Sequence, residues 1–265
     1  MNQSSFQNYE HALEFDRRSM SDIRMELADR LVEAMDLKGS ERVLDVATGT
    51  GRFARPVAKH LANGTIVGVD ESLAMFRVSK ESDQEVIPHY ERIAGTAECI
   101  PLADNTFDKA WVAFSLHHFS SAAAMAREAT RVLKPGGRLF VLDPVVLPAD
   151  DALDAALRTL INEVFQRSHG AGFRFFTVDE ISQLMRESGL EVAVADTHAY
   201  AADQDGTEGI PTGRHWIEVI DELENRPVDL RARFQHRYFQ YEKKAATVHV
   251  KGKFNYGLVA GEKAG

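Results

Sequence analysis

The chain divides into stretches with two different apolar spacings. Helical stretches carry apolar side chains at three- and four-residue steps, as Ile23, Leu27 and Leu31 do, whereas strand-like stretches are short continuous apolar runs. The pattern predicts helices at residues 21–37, 51–61, 72–82 and 121–133, and strands at residues 42–46, 65–70, within 86–94, 107–114 and 138–143. Strands that alternate with helices over short connections are typical of a parallel sheet with helices on both faces. We therefore expect an α/β, doubly wound fold.

The alternation changes in the second half of the chain. Helices are predicted at residues 150–168 and 177–188, and strands at 190–197 and 254–261. Residues 199–247 interrupt the pattern before the last strand, and we expect them to form an inserted helical cap. The predicted organisation is an N-terminal helical lid at residues 1–37, an α/β core at 38–198, the cap at 199–247 and the last core strand at 248–265.

Composition restricts the class of protein. Hydrophobic residues make up 44% of the 265 residues, which is enough to bury a core and excludes a disordered chain. No apolar run approaches the roughly 18 residues of a membrane-spanning helix, and the first 14 residues lack a signal-peptide pattern. The single cysteine, Cys99, excludes an intramolecular disulfide and a thiolate zinc cluster, and we expect it to be buried. We expect no metal and a cytoplasmic location.

The charge balance argues against nucleic-acid binding. The chain has 31 basic and 40 acidic side chains and a formal net charge of −9 at pH 7. Proteins that neutralise nucleic-acid phosphates usually carry the opposite balance. We therefore expect a small-molecule partner, while the sequence gives no indication of the oligomeric state.

A glycine-rich loop follows the first predicted strand. Residues 43–51 read VLDVATGTG, so a buried strand containing Asp45 runs through Gly49 and Gly51 into a helix. Glycines let the backbone approach a ligand closely, and a helix N-terminus offers free N–H groups. Asp70 ends the next strand, 19 residues after Gly51, where an acid in such folds hydrogen-bonds ribose hydroxyls. The loop is therefore a candidate nucleotide-binding site.

Three interpretations of this loop compete: a plain glycine turn, a dinucleotide site, and a site for S-adenosylmethionine (SAM). The dinucleotide fingerprint G-x-G-x-x-G requires a third glycine, and the chain has Ala54 at that position. SAM carries an ammonium group that Asp45 can face, whereas a diphosphate gains nothing from an acid there. The residues of the loop favour SAM.

Several further motifs, in order, resemble those of class I SAM-dependent methyltransferases. They are VLDVATGTG at 43–51, VGVDESLAMF at 67–76, AGTAECIPLADNTFDKAW at 94–111, AFSLHHF at 113–119 and RVLKPGGRLFVLDP at 131–144. More narrowly, they resemble the branch of the ubiquinone and menaquinone biosynthesis C-methyltransferases (methyltransferase type 11). The resemblance covers about residues 40 to 145. It implies a Rossmann-like sheet of order 3-2-1-4-5-7-6, with SAM as the methyl donor and S-adenosylhomocysteine (SAH) as the product.

The resemblance also implies which residues hold the cofactor. Asp70 would bind the ribose, and Met75 would pack on the adenine. The family usually has an acid at the position of Thr96; a threonine hydroxyl is a weaker acceptor for the adenine amino group, and Glu98 is a second candidate. The expected cofactor-binding residues are Asp45, Ala47, Gly49, Gly51, Asp70, Met75, Thr96, Ala97, Glu98 and Ser115.

His117 and His118 are the candidates for a catalytic base. They follow the fourth predicted strand, and methyl transfer needs a base where the acceptor carries a proton. An imidazole suits this role because its ordinary pKa lies near 6.5. In the alternative interpretation, the two histidines only cap a helix or pack on the cofactor. An acceptor that is already a deprotonated phenol or enol needs no base.

Aromatic and basic side chains in the cap are candidates for a substrate pocket. Leu230, Phe234, Tyr238 and Tyr241 share one face of a predicted helix, as part of the core or as a substrate wall. The basic residues around them form either a solvated face or an attractive surface for an anionic or phenolic substrate. The expected substrate-binding residues are Tyr9, Asp143, Arg174, Phe176, His215, Trp216 and Tyr238.

We therefore expect a SAM-dependent methyltransferase that acts on a small aromatic or apolar acceptor. Two alternatives remain. One is a protein of the same fold that uses bound SAM structurally or for another reaction. The other is a methyltransferase of a protein or RNA, engaged through the basic cap. The sequence does not distinguish carbon, oxygen, nitrogen and sulfur acceptors.

Overall fold

An eight-stranded sheet forms the centre of the fold in a computed structural model that describes residues 7–18, 22–82, 89–207, 213–244 and 247–265. Its strands are β1 Arg42–Val46, β2 Thr65–Asp70, β3 Tyr90–Ala94, β4 Phe107–Ala113, β5 Leu133–Pro144, β6 Leu190–Asp205, β7 Phe239–Lys243 and β8 Val248–Lys263. The order along the sheet is β3-β2-β1-β4-β5-β8-β6, and β7 pairs with β8 beside this path. The apolar pattern does not predict β7. Without it, β8 is the seventh strand, and the expected order 3-2-1-4-5-7-6 is confirmed.

The direction of the strands changes at β8. The pairs β1–β2, β1–β4, β2–β3 and β4–β5 are parallel, whereas β8 runs antiparallel to both β5 and β6. Because β1, β2 and β4 are parallel, their carboxyl ends meet at one edge of the sheet, and ligands of such folds bind beyond that edge.

Helices cover both faces of the sheet, which confirms the doubly wound α/β fold. They are α1 Tyr9–Arg18, α2 Asp22–Met35, α3 Ala54–Ala58, α4 Leu73–Ser82, α5 Ala122–Val132, α6 Ala152–His169, α7 Val178–Glu187, α8 Gly213–Glu224 and α9 Val228–Arg237. One apolar cluster joins α2, α3, α6, α8 and α9 to the sheet, and a second joins α5 and α7. Within the described ranges, no helix has both the length and the apolar character needed to cross a membrane.

Polar residues fix where three of these helices begin. The side chains of Ser121, Asp151 and Thr177 each accept a hydrogen bond from a backbone N–H in the first turn that follows. Thr177 and Glu180 form a reciprocal capping box. These caps explain why the predicted helix starts agree with the structure to within two residues there.

The prediction of a purely helical cap at residues 199–247 is wrong in part. β6 continues to Asp205, and β8 already begins at Val248, so the two strands extend beyond the sheet as an antiparallel ribbon. The predicted helical stripe is also interrupted: α9 ends at Arg237, Tyr238 leaves the helical conformation and Tyr241 lies on β7. Backbone pairing of β6 and β7 with β8 decides both outcomes.

Ion pairs hold the cap on the core. Asp154 on α6 is buried, and its two carboxylate oxygens lie 2.9 Å from Arg233 and 2.9 Å from Arg237 of α9. Other basic residues of the cap pair with nearby acids: Arg231 with Glu224, Lys243 with Asp221 and Lys244 with Asp205. Much of the basic charge in this acidic protein is therefore neutralised within the fold.

The two N-terminal helices have different positions. α1 packs on α4 through Ala12 and Val78, and Tyr9 hydrogen-bonds Glu81 while its ring lies under the Arg77 guanidinium. α2, by contrast, contributes buried side chains to the main core cluster. Among the described residues of the predicted lid, α1 packs on α4 and α2 belongs to the core, so the lid stays a prediction that α1 alone of these two helices could fulfil.

Candidate functional site

A cleft of about 1170 Å³, including its open mouth, lies beyond the carboxyl ends of β1, β2 and β4. It is lined by nine of the ten residues expected to bind the cofactor: Asp45, Ala47, Gly49, Asp70, Met75, Thr96, Ala97, Glu98 and Ser115. The tenth, Gly51, lies behind the loop, where an added Cβ would come within 3.1 Å of the Tyr90 ring. Gly51 therefore supports the loop from behind and is not part of the cleft wall.

Asp45 lies buried at the floor of the cleft. Its Oδ2 accepts a hydrogen bond from the Thr48 hydroxyl at 2.6 Å, and the Tyr90 hydroxyl lies 2.5 Å from the same Thr48 oxygen. No cationic side chain pairs with Asp45 in the described part of the chain. Burial away from water therefore raises the pKa of Asp45 to about 8. A cation placed in the cleft would stabilise the ionised carboxylate.

Asp70 connects the glycine loop to the end of β2. Its carboxylate accepts hydrogen bonds from the backbone N–H of Gly49 at 2.8 Å and of Ser72 at 2.9 Å. Burial raises the pKa of Asp70, and these two hydrogen bonds oppose the rise. Gly49 has φ +55, and nothing lies within 4 Å of the position that a Cβ would take. The loop therefore presents bare backbone to the cleft.

A tight turn after β3 forms another wall. Thr96 lines the cleft and is exposed, whereas Oε1 of Glu98 accepts hydrogen bonds from the Ser120 N–H at 3.1 Å and the Ser120 hydroxyl at 2.9 Å. Glu98 is thus engaged with the segment that leads into α5. Cys99 is exposed, so the expectation of a buried cysteine is wrong. It lies in the turn, where it forms an isolated antiparallel bridge with Thr96.

Aromatic and imidazole side chains line the end of the cleft beyond β4. Phe114, Phe119, His118 and His169 line the cleft together with Ser115. Phe114 adopts φ +56, a strained conformation for a bulky residue, and its ring packs 5.5 Å from that of Tyr256. Such residues concentrate at functional sites, where the surrounding packing holds them.

The two predicted catalytic histidines are placed differently. His117 is buried, and its Nδ1 lies 2.7 Å from Oδ2 of the buried Asp143. Neither residue lines the cleft. His118 does, with its ring 4.2 Å from that of His117 and 5.0 Å from that of His169.

Burial controls the charge of the two histidines that face the cleft. Loss of water contact, together with the neighbouring imidazoles, lowers the pKa of His118 well below 6.5. Burial also lowers the pKa of His169 to about 3, although Nδ1 is hydrogen-bonded to the Phe165 carbonyl. Both rings are therefore neutral at physiological pH. His169 ends α6, far from the glycine loop in sequence, so no local motif indicated its place in the cleft.

The remaining predicted substrate residues lie outside the cleft. Tyr9 anchors α1 to α4, Arg174 pairs with Glu180 at 2.8 Å and stacks on Phe176, and Phe176 packs in the core. His215 is buried, with its ring 4.6 Å from that of His169. Trp216 and Tyr238 line a separate cavity beneath the cap.

The cleft suits SAM in two respects. The buried Asp45 carboxyl lacks a cation, which the ammonium of SAM would provide, and the open backbone at Gly49 leaves room for close approach of a ligand. Among the described residues, no three His, Cys, Asp or Glu side chains converge in a way that would hold a metal.

Comparison with known proteins identifies the family. A family profile described as a methyltransferase domain matches residues 44–141. The demethylmenaquinone methyltransferase of Thermotoga maritima is 31% identical over 180 residues, which are 62% of this chain and 76% of that protein. The chain belongs to this methyltransferase family.

Two further known proteins resemble the chain over different shares of its length. The demethylmenaquinone methyltransferase of Paenarthrobacter aurescens is 40% identical over 119 residues, so the match spans 44% of the chain and 45% of that relative. The chain thus matches about half the length of this curated protein. A crystal structure of a candidate methyltransferase from Bacillus halodurans superposes with a TM-score of 0.71 at 23% identity, over 90% of this chain and 99% of that one. At that identity it supports the fold alone.

Proposed function

We propose that the chain binds SAM in the cleft and catalyses transfer of its methyl group to a small aromatic or apolar acceptor. The observation that carries this proposal is Asp45, a buried acid with a pKa of about 8 at the floor of a cleft formed by a glycine loop. An isolated buried charge is costly, and a cationic ligand offsets that cost. SAM has both the cation and the nucleoside that the cleft suits.

Different walls of the cleft would contact different parts of the cofactor. Asp45 would face the ammonium, and the exposed part of Asp70 would accept hydrogen bonds from the ribose hydroxyls. Met75 and Ala97 supply apolar contact for the adenine, with Thr96 at its edge. Phe15 of α1 also lines the cleft, so α1 would cover the bound cofactor.

The aromatic end of the cleft is the proposed binding site of the methyl acceptor. Bound SAM supplies an electrophilic methyl group on its sulfonium. Phe114 and Phe119 would hold a flat ring against that end and exclude water. The relatives named as demethylmenaquinone methyltransferases support an acceptor of the quinol class.

His118 is the proposed base, and His117 supports it. The ring of His118 lines the cleft and is neutral at physiological pH, so one of its nitrogens can accept a proton from a hydroxyl or carbon acid of the acceptor. His117, fixed by Asp143, packs against His118 and holds its ring in place. The small-molecule partner and the cytoplasmic location stay predictions from the sequence.

Calorimetric titration with SAH tests the cofactor proposal. We expect micromolar binding by the wild type, and binding weakened at least tenfold in Asp45→Asn, which removes one charge without changing the shape of the side chain. Asp104→Asn is the matched control, because Asp104 is an exposed acid paired with Arg131 near the start of β4, at the opposite edge of the sheet. Absence of SAH binding to the wild type would overturn the proposal.

An acceptor screen tests the reaction itself. Phenols, quinols and aromatic acids are incubated with SAM labelled in its methyl group, and labelled product is measured. Methylation of a member of the panel is expected. Tight SAH binding with no product from any class of acceptor, proteins and RNA included, would favour the alternative in which the cofactor is bound without methyl transfer.

A further inference from the structure

His169 is a cleft residue to which the proposed function gives no role. It is the last residue of α6, it is half-buried, and it lines the cleft together with His118. The centroids of the two imidazole rings are 5.0 Å apart. A methyl acceptor that contacts His118 therefore lies close to His169 as well.

Neighbouring rings hold the His169 ring in place. The Phe173 ring lies 4.7 Å away, and the ring of the buried His215 lies 4.6 Å away, edge to face. Phe165, one turn earlier on α6, stacks on the same ring at 6.0 Å. Because these neighbours come from different segments, they restrict rotation of the ring, and its two nitrogens have defined directions.

A backbone hydrogen bond fixes which nitrogen of His169 carries the proton. Nδ1 lies 3.0 Å from the carbonyl oxygen of Phe165. A carbonyl oxygen only accepts, so Nδ1 donates, and in the neutral ring Nε2 then carries a lone pair. Burial lowers the pKa of His169 to about 3, so the ring is neutral at physiological pH. Nε2 is therefore a hydrogen-bond acceptor.

This acceptor atom is available to a ligand. In the part of the chain that the structure describes, His169 makes no hydrogen bond besides the one from Nδ1. The two nitrogens of an imidazole point in diverging directions, so Nε2 is directed away from the α6 backbone that Nδ1 contacts. A polar atom that a bound ligand removes from water requires a partner, and here the ligand has to supply a donor.

The charge of the cleft favours a neutral donor. Four acids line it, Asp45, Asp70, Glu71 and Glu98, against one basic residue, Arg52. A carboxylate ligand is disfavoured by this balance, and its oxygens cannot donate a hydrogen bond. A hydroxyl on an aromatic ring carries no charge and donates one hydrogen bond, which meets both requirements.

We propose that Nε2 of His169 accepts a hydrogen bond from a hydroxyl of the methyl acceptor, and that this contact selects acceptors with a hydroxyl at that position. Ethers, ketones and carboxylates present only acceptor atoms and gain no such bond. His118 remains the base, and His169 orients the acceptor in front of it. This role rests on the proposed function, because it requires a methyl acceptor in the cleft.

A purely structural role of His169 is the competing explanation. Histidines near the end of a helix often bond one of its last carbonyls, as Nδ1 does here. In that case, loss of the imidazole would lower the stability of the protein without changing which ligands the cleft prefers. The two explanations therefore differ in ligand preference.

Equilibrium dialysis with 1-naphthol and 1-methylnaphthalene, in the presence of saturating SAH, measures this preference. The two probes have nearly the same shape, and only 1-naphthol has a hydroxyl. In His169→Phe, which keeps an aromatic ring without a nitrogen, the ratio of the two dissociation constants should shift about tenfold against 1-naphthol. His169→Asn keeps a donor for the Phe165 carbonyl but has no atom at the position of Nε2, so the same shift is expected.

His60→Phe is the matched control. His60 is exposed, lies in the turn between α3 and β2, and does not line the cleft. This variant should show the same ratio of dissociation constants as the wild type. Melting temperatures check that each variant is folded, and titration of each variant with SAH checks that the cofactor part of the cleft is intact.

Three results would overturn the role of His169. The first is absence of 1-naphthol binding to the wild type loaded with SAH. The second is a ratio in folded His169→Phe or His169→Asn equal to that of the wild type. The third is an equally large shift in His60→Phe. Absence of SAH binding to the wild type would instead overturn the proposed function itself, so the two failures are distinguishable.

Discussion

Nδ1 of His117 lies 2.7 Å from Oδ2 of Asp143, and both side chains are almost fully buried. This contact directs the His117 ring into the protein and leaves His118, the next residue, to face the cleft. Two adjacent histidines of the same motif therefore have different positions. In the proposed function, His117 is a positioning residue, and His118 is the one of the two that can reach an acceptor.

His117→Ala should destabilise the protein by about 1–3 kcal/mol, because the buried Asp143 would lose its imidazole partner and keep only the hydrogen bond from the backbone N–H of residue 117. Urea unfolding followed by circular dichroism measures this change. The matched variant His118→Ala breaks no contact with Asp143 and should cost less. Equal losses of unfolding free energy in the two variants would contradict the different roles assigned to them.

His118→Ala should lower kcat at least tenfold with any acceptor that carries a proton, because the cleft loses its base. His118 has a pKa well below 6.5, so it stays neutral as the pH falls toward that value. Measured from pH 5.5 to 9, the kcat of the wild type should therefore show no decrease near pH 6.5 caused by protonation of His118. His118→Ala should leave this part of the pH profile unchanged in shape. Unchanged kcat in His118→Ala across this range would exclude a role in proton transfer.

Binding of a cationic ligand should release close to one proton from Asp45 at pH 7. In the free protein its pKa is about 8, so the carboxyl is mostly protonated, and a nearby ammonium favours the ionised form. SAH affinity should accordingly rise with pH up to about 8. Calorimetry in two buffers of different ionisation enthalpy counts the protons, and Asp45→Asn should release none from this site.

The unfolding free energy of the ligand-free protein should fall as the pH rises, whereas SAH affinity should rise. The folded state holds the Asp45 proton up to a pH of about 8, whereas the unfolded chain loses it near 4, so the folded state binds more protons between these values. The unfolding free energy should therefore fall as the pH rises from about 4 to about 8. A comparison of wild type with Asp45→Asn isolates this contribution, and equal slopes would contradict it.

Thr96→Asp should tighten SAH binding about tenfold, because a carboxylate accepts a stronger hydrogen bond from the adenine amino group than a hydroxyl does. Thr96 lines the cleft and is exposed, so the change leaves the core intact. Glu98→Gln is the companion variant. Glu98 is engaged with Ser120, so its change should alter stability more than SAH affinity. Calorimetric dissociation constants and melting temperatures separate the two effects.

Asp154→Ala should destabilise the protein by about 3–5 kcal/mol, because it removes a buried carboxylate that pairs with both Arg233 and Arg237. Asp150→Ala is the control. Asp150 also pairs with Arg237 but is exposed, and exposed pairs contribute about 1 kcal/mol or less. Similar losses in the two variants would show that burial of Asp154 does not fix the cap on the core.

Local sequence signals predicted much of the core. The strand that contains Asp45 and the strand that ends at Asp70 have the predicted bounds, since continuous apolar runs between turn residues specify buried parallel strands. Nine of the ten expected cofactor residues line one cleft, because parallel strands bring their carboxyl ends to the same edge. The sequence therefore determined the α/β fold, the family and the position of the glycine loop.

Tertiary structure decided what depends on contacts between distant segments. His169 reaches the cleft because α6 ends beside His118, in the segment after β4, and His117 is turned away from it by the hydrogen bond to Asp143 on β5. Residues 199–205 become strand because β8 pairs with them, and Trp216 and Tyr238 line a cavity of their own because α8 and β7 pack over β8. No periodicity within a short window encodes such contacts, since each depends on free energy gained between segments far apart in the chain.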